Sequence, residues 1–351
     1  MRADLALVGF GHVGRRFAAL LDERRSLLAK EYDLECRVVG VATRRHGAHY
    51  DPRGIDTADL TRDGSPPGVP ASGACDIIER LGQSAADLRV VVETTTLDIT
   101  AGQPAIDHIR AGIDAGCHVI TANKGPVAFA YASLRDEAEA RGVSFLFEGT
   151  VMDGVPIFNF VREALPAVTI RGFRGVVNST TNHILTAMEH GEPFAAALSR
   201  MQSEGIAEAD ASLDLDGWDA AAKTAALANV LLDARTSPRA VHRIGITEAD
   251  GARARHAIAH GRRLKLVASA VREDDGRIVT AVGPIELPAS DPLAGLDGKA
   301  NALVLDTDLL GRIAVCQLEG NLTHTAYALL SDLLTIRRRQ ARPAAPARQS
   351  L

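Results

Sequence analysis

The chain has 351 residues, 46% of them apolar, and a formal net charge of −5, which allows two domains with substantial cores. Acids and bases are interspersed, with the basic excess confined to the last residues, so nothing points to nucleic acid. No basic stretch leads into an apolar one at the start, no run of about 18 apolar residues occurs, and the scattered Cys36, Cys75, Cys117 and Cys316 form no CxxC or zinc-spaced cluster. Secretion and membrane spanning are therefore not expected, and the cysteines read as reduced, buried thiols of a cytoplasmic protein.

Residues 5–8 are a short apolar run, followed by GFGHVG at 9–14 and the amphipathic FAALLDERRSLLAK: a strand, a glycine turn and a helix. The spacing matches a dinucleotide fingerprint. Gly9 would make the tight turn, Gly11 would let the backbone approach a pyrophosphate, and Gly14 would allow close helix–strand packing, with Phe10 and Val13 in the same turn. The diphosphate would sit at the helix N-terminus. The second strand, CRVVGVATRR at 36–45, ends in Arg44 and Arg45, where an NAD-selective protein places an acid on the ribose 2′-OH. That favours NADP(H) over NAD(H), the arginines meeting a 2′-phosphate.

Residues 46–74 are rich in Gly, Pro and Asp and read as an irregular connection, with at most a short helix near 56–60. DLRVVVETTT then puts a buried strand at 89–92, and its polar end, Glu93 with Thr94, Thr95 and Thr96, should border the cofactor. A helix near 105–115 leads to CHVITANKGPVA, a strand ending in Asn123 and Lys124, the latter a candidate cationic group. A helix over 131–141 and the strand and turn VSFLFEGTVMDGVPI follow. The domain boundary falls near Thr150.

Beyond it the periodicity changes. VTIRGFRGVVNSTTNHIL alternates as a strand to Val177, and Asn178 to Asn182 supply capping residue types before a helical run. Helices are expected at 194–203 and 216–232, and strands at 264–272, 278–287, 302–306 and 312–318. A last helix, LTHTAYALLSDLL, packs back on the first domain. The fold class is α/β: a Rossmann-like doubly wound parallel sheet over 1–150, completed by 319–335, and a second α+β substrate and dimerisation domain over 151–318. The basic, Pro/Ala-rich residues 336–351 read as a disordered tail.

The chemistry belongs in GIAEADASLDLDGWDAAAKTAALANVLL, residues 205–232. Asp219 and Lys223 are four apart in an Ala-rich helix, one above the other on one face. Such a pair can pass a proton; it is equally an ordinary i,i+4 ion pair. Just upstream, Glu208, Asp210, Asp214 and Asp216 crowd a non-helical approach suited to a cationic amine, or to solvent.

Together these motifs resemble the homoserine dehydrogenase family, in the family's order and over nearly the whole chain up to Leu334. They are GFGHVG, VVVETTT, TANKGPVA, EGTVMDGVPI, VNSTTNHIL, the spacing of Glu208, Asp214, Asp219 and Lys223, and TAYALLSDLL. The resemblance implies a short, monofunctional form without the regulatory extension or a fused aspartate kinase, acting as a homodimer in the biosynthesis of threonine and methionine. It implies NADPH-dependent, reversible reduction of L-aspartate 4-semialdehyde to L-homoserine. Lys223 would be the proton donor and acceptor, partnered by Asp219, with Lys124 a second active-site amine. Glu208 and Asp214, helped by Thr180, would bind the small-molecule substrate. Thr94, Thr95 and Gly320 would join the cofactor set, and Glu148 with the carbonyls of Val151, Asp153 and Val155 would hold a monovalent cation, Na+ or K+. Two features depart from the family: Asp153 replaces a small residue, and EGNLTHTA, with Gly320 alone, replaces a GAG-type turn. A reductase of another small amino-acid-derived aldehyde, or a non-catalytic NADP-binding regulatory protein, are the alternatives.

Overall fold

The computed structural model describes residues 1–56, 58, 68–204 and 210–341. Glu208, most of the short helix expected near 56–60, and residues 342–351 lie outside the described residues. The first sheet contains β1 (Arg2–Val8), β2 (Glu35–Thr43), β3 (Gly47–Tyr50), β4 (Val69–Ala71), β5 (Leu88–Glu93), β6 (His118–Thr121) and β7 (Phe145–Leu146). Their order is β4-β3-β2-β1-β5-β6-β7. The strands from β2 to β7 are parallel, and β3 and β4 add an antiparallel edge. β1, with parallel neighbours on both sides, is buried over nearly its whole length, which is why it reads as a continuous apolar run. The winding reverses between β1 and β5, and ligands of such sheets lie at the carboxyl ends of the strands beside that reversal.

Flanking this sheet are α1 (His12–Glu23), α2 (Arg25–Tyr32), α3 (Ala74–Gly82), α4 (Ala105–Asp114) and α5 (Lys124–Ala140). The second sheet contains β8 (Ile170–Val176), β9 (His242–Arg243), β10 (Arg262–Arg272), β11 (Ile278–Pro288), β12 (Asn301–Thr307) and β13 (Arg312–Gln317), in the order β13-β12-β8-β10-β11-β9. With it go α6 (Ser179–Glu189), α7 (Phe194–Ser203), α8 (Trp218–Leu232) and α9 (Asp250–Ala259). α8 carries buried Ala221, Ala222, Ala225, Ala226, Leu227 and Ala228 on nearly every side, as expected of a helix wedged between α5 and strands β10 and β11. Finally α10 (Leu322–Ala341) returns to α1, and its Leu329 and Leu333 share a buried cluster with Phe17, Leu21, Leu5 and Leu7.

Four sequence expectations change. The stretch 46–74 is not simply irregular: β3 pairs with β2 and β4 with β3, a short edge whose Pro70 marks it as such. α5 starts at Lys124 rather than near Tyr131, capped by the Asn123 side chain, and a break at Ala130 (φ −139°) hides its first turns from a periodicity argument. α10 continues to Ala341 instead of yielding to a tail at 336, because Ile336 is fully buried. Cys75 and Cys316 are exposed, not buried; Cys36 is intermediate and Cys117 buried, and all four are unpaired. Among the described residues no helix is long and apolar enough to cross a membrane.

Leu333→Ala, at the α1–α10 contact, is expected to cost about 2–5 kcal/mol through lost burial and a residual cavity. Urea unfolding measures it, and a loss well below this range would mean that α10 is not part of the first core.

Candidate active site

The glycine turn after β1 is shaped by close backbone crossings. Gly9 has φ +92°, and a Cβ there would lie 2.6 Å from the backbone carbon of Thr94 at the end of β5. A Cβ on Gly14 would lie 2.8 Å from the Gly9 carbonyl oxygen. Over Gly11, in contrast, nothing lies within 4 Å of the Cβ position, and α1 begins there with no side chain capping its amides. An open approach onto free helix N–H groups fits the diphosphate of a dinucleotide. Phe10 is buried beneath the turn, Val13 is partly buried against the same core, and Arg44 and Arg45 project, exposed, from the turn between β2 and β3.

A hydrogen-bond chain carries this cradle toward Lys124. Thr94 Oγ1 donates to the Gly9 carbonyl at 2.8 Å. Glu93, fully buried, accepts from the Thr95 amide at 2.9 Å and from Thr121 Oγ1 at 2.8 Å. Burial pushes its pKa up, and those donors pull against the shift. Asn123 Nδ2 donates to the Thr95 carbonyl at 3.1 Å while its Oδ1 caps α5 by accepting from Gly125 N at 3.0 Å. Lys124 is thereby fixed at the first turn of α5, beside the carboxyl ends of β5 and β6.

Its amine meets the second half of the chain at Asp219. Lys124 Nζ is 3.0 Å from Asp219 Oδ1, and Lys223 Nζ is 2.9 Å from Asp219 Oδ2. Lys223 also donates to the Val177 carbonyl at 2.7 Å. Asn178, which caps α6 by accepting from Thr181 N, donates through Nδ2 to Asp219 Oδ2 at 2.9 Å and to Asp214 Oδ1 at 2.7 Å. Burial pushes the Asp219 carboxyl upward, but the ammoniums of Lys124 and Lys223 overcome this and hold it well below the usual range. Burial likewise pulls Lys223 down, and Asp219, Asp153 and Asp214 more than restore it, so the amine stays protonated to higher pH than a free lysine. Asp214 is raised by burial and by Asp219, against hydrogen bonds from Asn178 and Thr180.

Asp219, Lys223, Lys124, Asp214 and Thr180 thus come together as the sequence suggested. Asp210 and Asp216 do not join them: both are exposed. The approach is not wholly non-helical, since Ser212–Leu215 makes one helical turn. Asn178 was missed as a site residue because its capping role alone accounts for its place in the sequence. Glu93 and Asn123 were visible only as polar strand ends.

At the expected cation site, the Glu148 carboxylate, the Val155 carbonyl and the Asp153 side chain have protein partners. Glu148 Oε1 and Oε2 accept the amides of Phe158 and Asn159, each at 2.8 Å, and burial raises its pKa to about 7. The Val155 carbonyl accepts from Ile157 N at 2.8 Å, and the Asp153 side chain turns toward Gln317 and Thr325. Val151 is buried beside them. Among the described residues no group of three or more His, Cys, Asp or Glu is arranged for a metal.

A glycine-turn cradle at the switch point of a doubly wound sheet, with lysines and carboxylates facing its carboxyl end, defines a nicotinamide-dependent oxidoreductase. Residues 9–148 match the family model "Homoserine dehydrogenase, NAD binding domain", and residues 156–334 match "Homoserine dehydrogenase". The NAD(+)-dependent homoserine dehydrogenase of Pseudomonas canavaninivorans is 36% identical over 335 residues, 95% of each chain. The homoserine dehydrogenase of Methanocaldococcus jannaschii is 34% identical over 342 residues, 95% of this chain and 98% of that one. The crystal structure of a homoserine dehydrogenase from Thiobacillus denitrificans superposes with a TM-score of 0.83 at 28% identity, covering all of this chain and 76% of the other. The chain belongs to the homoserine dehydrogenase family.

A carboxyl whose folded-state pKa is depressed adds stability wherever the unfolded group is ionised, above about pH 3.9, and loses it as pH falls through the folded value. Asp219→Asn, which leaves two ammoniums facing each other, is therefore expected to be less stable than the parent at pH 7, with the gap closing below about pH 4. Denaturant titration across this range reads the gap; one that does not change with pH would contradict the ion-pair assignment.

Proposed function

We propose that this chain catalyses the NADPH-dependent, reversible reduction of L-aspartate 4-semialdehyde to L-homoserine, as a step toward threonine and methionine, with Lys223 moving the proton. The observation that carries the reading is the convergence of Lys124, from the cofactor-binding half, and Lys223, from the substrate half, on the single carboxylate of Asp219. We assign residues 1–150, completed by 319–335, to the cofactor and 151–318 to substrate and assembly. The bound nicotinamide supplies the hydride in reduction and accepts it in oxidation. Lys223 has two N–H directions placed by Val177 and Asp219, which leaves one to meet the substrate oxygen. In reduction the ammonium stabilises the forming alkoxide and protonates it; in oxidation the neutral amine takes the hydroxyl proton. Asp214 with Thr180, and Glu208, hold the amino-acid end of the substrate.

Arg44 and Arg45 at the end of β2 support NADP(H), although the Pseudomonas relative is named NAD(+)-dependent. A monovalent cation near Glu148 and the carbonyls of Val151, Asp153 and Val155 rests on the motif EGTVMDGV. The dimer rests on the second sheet, where the cross-strand neighbours Val271 and Val279 are both exposed.

Turnover of L-aspartate 4-semialdehyde is expected with NADPH, slower with NADH, and lost in Lys223→Ala without loss of fold. Because Asp219, Asp153 and Asp214 hold Lys223 protonated, homoserine oxidation should rise with pH beyond neutrality. Near-normal activity of Lys223→Ala removes it from the mechanism, NADPH binding with no turnover of any short aldehyde points to a regulatory protein, and a preference for NADH rejects the role of Arg44 and Arg45. For assembly and the ion, sedimentation should give a dimer and activity should be higher in KCl or NaCl than in tetramethylammonium chloride. A monomer, or indifference to the cation, overturns the respective assignment.

A further inference from the structure

Asp153 lies in a turn at φ +45°, and its charge is among those that raise Lys223. Its carboxylate accepts from Gln317 Nε2 at 3.3 Å and from Thr325 Oγ1 at 3.2 Å. Those residues begin and end the segment that leads from β13 into α10. The middle of the same segment lies against the carboxylate: a Cβ on Gly320 would lie 2.6 Å from Asp153 Oδ2. The backbones touch as well, since a Cβ on Gly154 would lie 2.6 Å from the His324 carbonyl oxygen. From there Thr323 Oγ1 accepts from Arg16 Nε at 2.9 Å, on the helix that opens at the glycine turn. Residues 317–325 therefore run from the second sheet to the dinucleotide cradle, and the side chain of Asp153 is seated against their midpoint.

We propose that Asp153 is a positioning residue whose carboxylate, in the space left by Gly320, pins residues 317–325 beside the dinucleotide cradle and so sets how tightly the cofactor is held. The inference rests on the reading of that cradle as the nicotinamide-dinucleotide site. It also connects the two departures from the family pattern: the carboxylate at 153 lies where a side chain at 320 would sit, so the acid at 153 requires the glycine that the altered turn keeps at 320. Charge is not what the latch needs. A carboxylate only accepts, so it turns the Gln317 amide with Nε2 inward and leaves Oε1 buried without a partner. An asparagine at 153 accepts from Thr325 through Oδ1 and, once the Gln317 amide turns over, donates Nδ2 to that Oε1; asparagine also tolerates positive φ. Glycine adopts the turn without strain and removes the latch.

Fluorescence titration with NADPH and NADH, together with hydrogen exchange of the 320–325 amides without cofactor, tests this in D153G, D153N, G320A and D153G/G320A. D153G and G320A are each expected to weaken cofactor binding about tenfold and speed exchange, and the double variant no further, because the closest contact of the added methyl is gone. D153N is expected to keep most of the parent affinity. Costs that add in the double variant, or a D153G with parent affinity and exchange, overturn the proposal. Homoserine oxidation by the parent chain separates the two readings: an inactive parent showing the coupling sinks the proposed reaction alone, and an active parent without it sinks the latch alone.

Discussion

One carboxylate, largely shielded from water, joins the two halves of this protein. Asp219 is placed in the first turn of α8, where the helix dipole favours an anion, and Gly217 at φ +77° makes the left-handed entry that starts the helix there. Two ammoniums meet on one carboxylate, with Asp214 bridged to it through Asn178, an arrangement that is costly away from water unless every donor is placed. Val177 and Asn178, at the end of β8 and the cap of α6, take part of that load. The second sheet, the α6 cap and α8 are thus tied to one point, and so is Lys124 from across the domain boundary. A chain organised in this way holds an amine of fixed orientation and raised basicity where the cofactor-binding sheet ends.

The other half of the constraint is steric. Gly9 and Thr94 meet where the sheet reverses its winding, closer than any side chain at position 9 allows, and two residues on the space over Gly11 is open. Glu93, Thr95, Thr121 and Asn123 then form a buried polar chain from this point to the start of α5. The residues that shape the dinucleotide cradle and those that aim Lys124 are therefore one connected network, satisfied internally as buried polar groups must be.

Much of this was legible in the residues. GFGHVG, the alternation of β8 and the i,i+4 spacing of Asp219 and Lys223 each specify local geometry, and local geometry is what periodicity and spacing encode. What escaped was set by distant contacts. Asn178 bridges Asp214 and Asp219 only once α6 and α8 are packed. The start of α5 was obscured because its break at Ala130 interrupts the pattern, and β3 and β4, short edge strands with Gly and Pro, carry turn-like composition. Ile336 reads as the edge of a basic tail until the core it enters is known. The contact of Asp153 with Gly320 joins positions 167 residues apart in sequence, though each had stood out singly.

The break in α5 also explains a polar residue inside the most apolar helix of the chain. Asn229, buried in α8, donates to the carbonyls of Val127 at 3.1 Å and Ala128 at 3.2 Å, and accepts from Thr236 N at 2.7 Å. Those carbonyls lie just before Ala130, where the regular helical ladder of α5 is interrupted. A buried carbonyl without a partner is costly, and the amide of Asn229 meets that need from the neighbouring helix. The consequence reaches the site, since α5 begins with Lys124 and α8 carries Asp219 and Lys223. Small alanines let the two helices approach closely, and Asn229 fixes their register along the contact. The Lys124–Asp219 ion pair at one end and the Asn229 hydrogen bonds further along hold α5 and α8 as a single unit, so that the two amines keep their separation across the boundary between the halves.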